Sequence, residues 1–104
     1  MRPEWVRGLR EWAEANGNVR QLWLFGSRAR GDARENSDVD LALALMPPDG
    51  KHNWALGNYF VLKDDWKQQL EAIVGRRVSL EAIEPDTKGD AIVRGTGRLL
   101  WERG

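Results

Sequence analysis

Two stretches of the chain, residues 3–16 and 54–74, carry apolar residues at helical intervals. The apolar positions are Trp5, Leu9, Trp12 and Ala13 in the first, and Leu62, Trp66, Leu70 and Ile73 in the second. Pro3 suits a first helical turn, and Asn16 and Gly75 are typical of helix ends. The pattern therefore predicts an N-terminal helix and a longer central helix.

Three shorter runs have the length and residue types of β-strands: residues 19–25, 39–45 and 77–83. The second, "VDLALAL", places leucines and alanines on both of its faces, so we expect helices to cover both sides of the sheet there. Two further short helices are predicted at residues 27–31 and 87–95, and an apolar "LLW" follows near the end. This order of elements indicates a small α/β domain, a mixed sheet with helices packed on it.

The 104 residues suit one domain, which we expect to span residues 1–104. Lys plus Arg and Asp plus Glu both number 16, a balance that argues against a general nucleic-acid binder. Cysteine is absent, which excludes disulfides and thiolate metal sites. No run is long enough to span a membrane, and the N-terminus has no apolar signal-peptide core, so we expect a cytoplasmic protein.

Six tryptophans are many for a chain of this size. Large rings can fill a small core, which is the commoner use of such residues. They can also form a partner surface, because tryptophan is enriched where interfaces bind most strongly. The sequence leaves both interpretations open.

Two aspartates, Asp38 and Asp40, stand where the strand 39–45 begins. On an extended chain their side chains share one face, about 6–7 Å apart. Solvent, protonation or a divalent cation can relieve the repulsion between two such carboxylates. Mg²⁺ is commonly held by one or two carboxylates together with substrate phosphate oxygens. The pair therefore predicts a magnesium site, although a solvated turn is the more frequent meaning of this pattern alone.

A Gly-Ser turn, Gly26 and Ser27, follows the first predicted strand. Glycine lets the backbone approach a ligand closely, and a helix start offers free N–H groups to phosphate. Ser27 adds a hydroxyl donor, and Arg28 and Arg30 can neutralise further phosphate charge. Together the turn and the aspartates fit one arrangement, with a triphosphate on the turn and a metal on the carboxylates.

The stretch "GSRARGDARENSDVDLAL" closely resembles the nucleotidyltransferase signature GS-x-x-x-G, a variable loop, then [ST]D-x-D-[LF]. Within that superfamily, which has the DNA polymerase β-like fold, the length and element order look like the minimal nucleotidyltransferases (MNT). The resemblance implies that Gly26 and Ser27 hold the phosphates of ATP and that Asp38 and Asp40 ligate Mg²⁺. It implies transfer of AMP to a hydroxyl with release of pyrophosphate.

One position departs from the family pattern. A third carboxylate usually lies on a later strand of such enzymes, and the matching residue here is Ser79. Serine cannot replace a charged metal ligand. Glu81, one strand repeat further on, either supplies the third oxygen as a catalytic and metal-binding residue, or the site is weakened.

Three functions follow from the resemblance. The first is an Mg²⁺-dependent enzyme that modifies a protein, since minimal nucleotidyltransferases are often antitoxins that AMPylate a HEPN-type toxin on tyrosine. That function implies a hetero-oligomer with the toxin. The second is a degenerate module that neutralises a partner by contact, for which Ser79 argues. The third, modification of an antibiotic, is disfavoured because the chain has no room for an acceptor domain.

Overall fold

The computed structural model of the protein describes residues 2–26, 31, 38–46, 55–84 and 87–103. Its helices are α1 (Pro3–Ala15), α2 (Ala55–Val74) and α3 (Lys88–Thr96). Its strands are β1 (Val19–Phe25), β2 (Val39–Leu45), β3 (Val78–Ile83) and β4 (Arg98–Glu102). The predicted strands 19–25 and 39–45 are confirmed to the residue, and the other predicted elements among these residues differ by no more than one residue at either end. Most of the predicted helix 27–31 lies outside the described residues.

The strands form one mixed sheet in the order β3-β2-β1-β4. β1 is antiparallel to both β2 and β4, whereas β2 and β3 are parallel. The predicted α/β architecture with a mixed sheet is therefore confirmed. The parallel pair is possible because α2 fills the connection between β2 and β3, as parallel strands require.

The sequence did not predict β4. This strand has only five residues, and Leu99 on it remains 45% exposed. Its sequence therefore lacks the clear alternation of apolar and polar residues that predicts a strand. It forms because β1 offers a free antiparallel edge, and the pairing continues past the strand where the Arg103 N–H donates to the Arg20 carbonyl at 2.9 Å. Such a pairing depends on a distant partner strand, which local patterning does not record.

The larger core lies between the sheet and the helices α1 and α2. Its most completely buried side chains are Leu9, Leu22, Leu24, Leu41, Leu43, Leu70, Val19, Val39, Val74 and Val78. The apolar stripe of α2 is confirmed at Trp66 and Leu70, but Leu62 and Ile73 are only half-buried, and Tyr59 and Val74 complete the buried face. Along a helix of 20 residues, the positions that face the sheet shift gradually around the helix axis. Different positions are therefore buried at the two ends of α2.

A smaller cluster packs under α3 on the opposite face of the sheet. It contains Trp23, Ala42, Ala44, Ile83 and Val93. β2 is thus buried on both faces, as its leucines and alanines predicted.

Arg94 joins α3 to the sheet by polar contacts. Its Nη2 donates to Gln21 Oε1 at 3.0 Å, while its Nε donates to Asp90 Oδ1 at 2.7 Å. The guanidinium also stacks over the Trp23 ring, 5.6 Å from its centroid. These contacts fix the position of a helix that has only nine residues.

Three of the six tryptophans, Trp5, Trp23 and Trp66, are buried. Trp12 and Trp101 are half-buried, and Trp54 lies outside the described residues. The interpretation of tryptophan as core filling is therefore confirmed for those three. The Trp12 ring packs edge to face against the Trp66 ring, with 6.0 Å between the ring centroids. The Trp12 Nε1 donates to Gln69 Oε1 at 2.8 Å.

Candidate functional site

Antiparallel pairing brings the end of β1 to the start of β2. Phe25 and Asp40 are register partners, so Gly26 leaves β1 beside the Asp40 side chain. Gly26 has φ +70°, a conformation that favours glycine. A Cβ built on Gly26 would overlap the Asp40 carboxylate oxygen Oδ2 and would lie 3.0 Å from its Cγ. The bare backbone of Gly26 therefore forms one wall of the pocket that holds the Asp40 carboxylate.

Asp38 and Asp40 lie on either side of Val39, at the mouth of β2. The Val39 N–H donates to the Arg77 carbonyl at 2.9 Å, which fixes the strand at this point. Asp38 is exposed, whereas Asp40 is half-buried on the strand. The structure thus joins one carboxylate open to solvent with a second that is held against the turn at Gly26.

Ser79 is the register partner of Asp40 across the parallel pair β2 and β3. Glu81 is paired instead with Ala42, one strand repeat away from the aspartates. Strand spacings place the Glu81 Cα about 8 Å from that of Asp40, with about 5 Å across the ladder and 6–7 Å along it. The position nearest Asp40 on β3 is therefore the serine.

The described part of the chain contains no group of three or more histidine, aspartate or glutamate side chains that could hold one metal ion. Asp38, Asp40 and Glu81 all belong to that part. Asp38 and Asp40 lie on either side of Val39, and Glu81 does not form such a group with them. The role of Glu81 as third ligand stays a prediction.

Glu81 lies instead in a groove at the outer edge of β3, together with Tyr59 of α2. The Tyr59 hydroxyl donates to the Leu80 carbonyl at 3.2 Å. Burial raises the pKa of Tyr59 above 10.0, and the negative charges of Glu81 and Asp64 raise it further. Sequence reasoning did not single out Tyr59, although a lone tyrosine within the predicted helix 54–74 was a signal for it.

Two carboxylates on either side of Val39 are a donor set that fits Mg²⁺, which takes one or two carboxylates and completes its shell with water and phosphate oxygens. The wall formed by Gly26 fits as well, because a side chain there would displace the Asp40 carboxylate. Ser27, Arg28 and Arg30, the predicted phosphate-binding residues beside Gly26, lie outside the described residues.

A family model described as "Polymerase beta, Nucleotidyltransferase" matches residues 8–103. The chain belongs to this nucleotidyltransferase family. No curated protein matches the sequence.

Two solved structures share the fold. The first is a toxin–antitoxin with AMP-PNP, with a TM-score of 0.66 at 21% identity, covering 94% of this chain and 73% of that chain. The second is a mutant of the toxin–antitoxin MntA-HpeT, with a TM-score of 0.65 at 20% identity and the same coverage of both chains. These likenesses show that the fold is that of MntA-type nucleotidyltransferases.

None of the described helices could cross a membrane.

Proposed function

We propose that this nucleotidyltransferase transfers AMP from ATP to a hydroxyl of a partner protein, with Mg²⁺ held by Asp38 and Asp40. The observation that carries the proposal is the Asp40 carboxylate seated against the bare backbone of Gly26, at the point where β1 ends. A phosphate bound at the Gly26 turn and a cation bound at Asp40 would be immediate neighbours. The family match supports the same chemistry.

In this reaction the acceptor hydroxyl oxygen bonds to the α-phosphorus of ATP. The bond from that phosphorus to the bridging oxygen breaks, pyrophosphate leaves, and a carboxylate oxygen of the aspartate pair takes the hydroxyl proton. Mg²⁺, when bound, would neutralise the charge of the phosphates. Gly26 and Ser27 would orient the triphosphate, with Arg28 and Arg30 adding positive charge. Such catalysis rests on position and electrostatics more than on covalent chemistry.

We further propose that the partner is a HEPN-type toxin and that the two form a hetero-oligomer with this chain as antitoxin. Both structural neighbours are toxin–antitoxin proteins, and one of them is described with AMP-PNP.

A second function has a specific observation in its favour. Ser79 occupies the position on β3 that is paired with Asp40, where a third carboxylate would lie closest to the other two. A site with two carboxylates supports a weakened enzyme or a module that neutralises its partner by contact alone.

Labelling of the partner separates the two functions. The partner is the product of the adjacent gene, purified and mixed with this chain, Mg²⁺ and radiolabelled ATP. We expect label on the partner from α-labelled ATP and none from γ-labelled ATP, because the α-phosphate is the transferred group. Asp40→Asn should nearly abolish labelling and the heat stabilisation by Mg-ATP, since a ligand bound only to the native state raises its stability. Asp65→Asn, at an exposed aspartate of α2, is the matched control and should change neither.

Unlabelled partner that still binds both the wild type and Asp40→Asn equally would reject the enzyme and leave the contact module. Glu81→Gln tests the third ligand with the same assay. A loss of labelling that added Mg²⁺ restores would make Glu81 a metal ligand. A loss restored only by added partner would place Glu81 in partner binding.

A further inference from the structure

A groove runs along the outer edge of β3, which is an edge strand of the sheet. Its volume is about 450 Å³, and its lining includes Tyr59, Phe60 and Lys63 of α2 and Leu80, Glu81 and Ala82 of β3. It thus begins one strand repeat from the Ser79–Asp40 pair of the candidate site. A ligand lying in the groove would extend toward that site.

The backbone at this edge is partly available for pairing. Because the Arg77 carbonyl accepts from Val39, alternate residues of β3 face β2, and Val78, Leu80 and Ala82 direct their backbone groups outward. Two of these groups are already bonded to α2. The Val78 N–H donates to Glu71 Oε2 at 2.9 Å, and the Leu80 carbonyl accepts from Tyr59. Both contacts precede Ala82, so the second half of β3 is where an added strand would pair.

The surface of the groove is apolar in one part and acidic in another. Phe60 is 62% exposed on α2, with Lys63 Nζ 5.9 Å from the centroid of its ring. Glu81 and Glu84 are exposed, and the charge of Asp64 also reaches the groove at Tyr59. Among the described residues that line the groove, there are therefore two carboxylates and one ammonium, with Asp64 adding negative charge nearby. An extended segment that carries apolar and basic side chains in alternation complements this surface.

We propose that this groove binds an extended, basic segment of the partner protein, with an apolar side chain on Phe60 and lysine or arginine side chains toward Glu81 and Glu84. The proposal rests on the proposed function for the identity of the occupant, the segment that carries the acceptor hydroxyl. It gives Glu81 a role in acceptor recognition, which its place in the groove with Tyr59 supports.

Two synthetic peptides test the groove without nucleotide. One alternates arginine with leucine, and the other has glutamate in place of arginine. Followed by amide NMR of the full chain, the arginine peptide should shift the signals of Phe60, Leu80 and Ala82 and bind at least about tenfold more tightly than the glutamate peptide. Equal affinity for both peptides, or shifts elsewhere on the surface only, would overturn the proposal.

Matched variants locate the binding on the groove. Phe60→Ser should weaken the arginine peptide about tenfold, the usual effect of losing an aromatic anchor. Val61→Ser changes a neighbour that is 80% exposed and outside the lining, and should have no effect. Glu84→Lys should reverse the preference between the peptides, whereas Asp65→Lys should leave it unchanged. If the variants in each pair behave alike, the groove is not the binding site.

The peptide-binding and labelling experiments distinguish failure of the groove proposal from failure of the proposed function. If the peptide does not bind but the partner is labelled, the groove is wrong and AMP transfer stands. If the arginine peptide binds in the groove and the partner is never labelled, the binding surface stands and the transferase activity is wrong.

Discussion

Gly26 and Asp40 lie so close together that a side chain at Gly26 would occupy the place of the Asp40 carboxylate. The glycine supplies both a left-handed backbone conformation and the space that the carboxylate occupies. Their coupling arises from strand pairing, because the chain separates them by a polar loop and the register places them side by side.

Gly26→Ala should therefore cost more than a backbone change alone. A left-handed alanine costs about 1–2 kcal/mol, and here the added methyl group also displaces the Asp40 carboxylate. We expect a larger loss in urea unfolding and no stabilisation by Mg-ATP. Gly75→Ala is the control, because Gly75 has φ +64° with open space around it. Equal costs for the two variants, with Mg-ATP binding retained in both, would show that Gly26 does not position Asp40.

Tyr59 reports on the groove because it is the only tyrosine of the chain. The absorbance of tyrosinate should rise with a midpoint above 10.0, since burial and the charges of Glu81 and Asp64 raise this pKa. Glu81→Gln should lower the midpoint, because it removes one of those negative charges. A midpoint unchanged by Glu81→Gln would place Glu81 too far from the hydroxyl to act on it.

The same shift has a consequence for stability. A raised pKa in the folded state means that the unfolded chain releases its proton first as pH rises. The contribution of protonated Tyr59 to the stability of the fold is complete below pH 10, the ordinary pKa of tyrosine. It is lost as the pH rises through the pKa of Tyr59 in the folded state. Tyr59→Phe should remove this alkaline dependence from the unfolding curve.

At the scale of elements, the carbonyl groups that end α1 are capped by a residue beyond β4. Arg103 Nη2 donates to the carbonyls of Ala13 and Asn16 at 3.1 and 3.0 Å, and its Nε donates to that of Val19 at 3.0 Å. A guanidinium can serve several acceptors at once, and a cation is favourable at a helix C-terminus. One side chain thus ties α1, β1 and β4 together.

Arg103→Ala should destabilise the protein by about 1.5–3 kcal/mol, the range for hydrogen bonds to charged groups. Arg103→Lys should recover only part of this, because an ammonium lacks the planar fork. Arg98→Ala, at an exposed arginine that begins β4, serves as the control. Urea unfolding measures all three, and a full recovery by lysine would mean that charge alone matters.

At the scale of the whole molecule, the two faces of the sheet are covered unequally. α1 and α2 enclose the larger core, whereas among the described helices only α3 covers the smaller cluster. Val74 and Val93 are both buried, one in each cluster, and offer identical chemistry for comparison.

Val74→Ala should cost about 2–3 kcal/mol and Val93→Ala about 1–2 kcal/mol, because a cavity between two helices and a sheet collapses less than one under a short helix. Thermal and urea unfolding give both values. A larger cost for Val93→Ala would mean that the cluster under α3 is packed as rigidly as the main core.

The sequence by itself determined most of the secondary structure, and it identified the two aspartates as a candidate site. Apolar spacing places α1, α2 and the three longer strands, because each element has to bury one or both of its faces. The buried alternation of β2 indicates a sheet covered on both sides, and the interruption of that pattern by Asp40 marks the site. These features are local, so a single sequence records them.

The tertiary structure alone decided which residues meet. β4 exists only because β1 has a free edge, and the cap on α1 comes from a residue at the far end of the chain. Register places Ser79 beside Asp40 and Glu81 opposite Ala42, and the role of Glu81 as third ligand stays a prediction. Residues two apart on a strand share a face, so periodicity gives Ser79 and Glu81 the same face as Asp40, and only the pairing with β2 fixes which of them lies opposite Asp40.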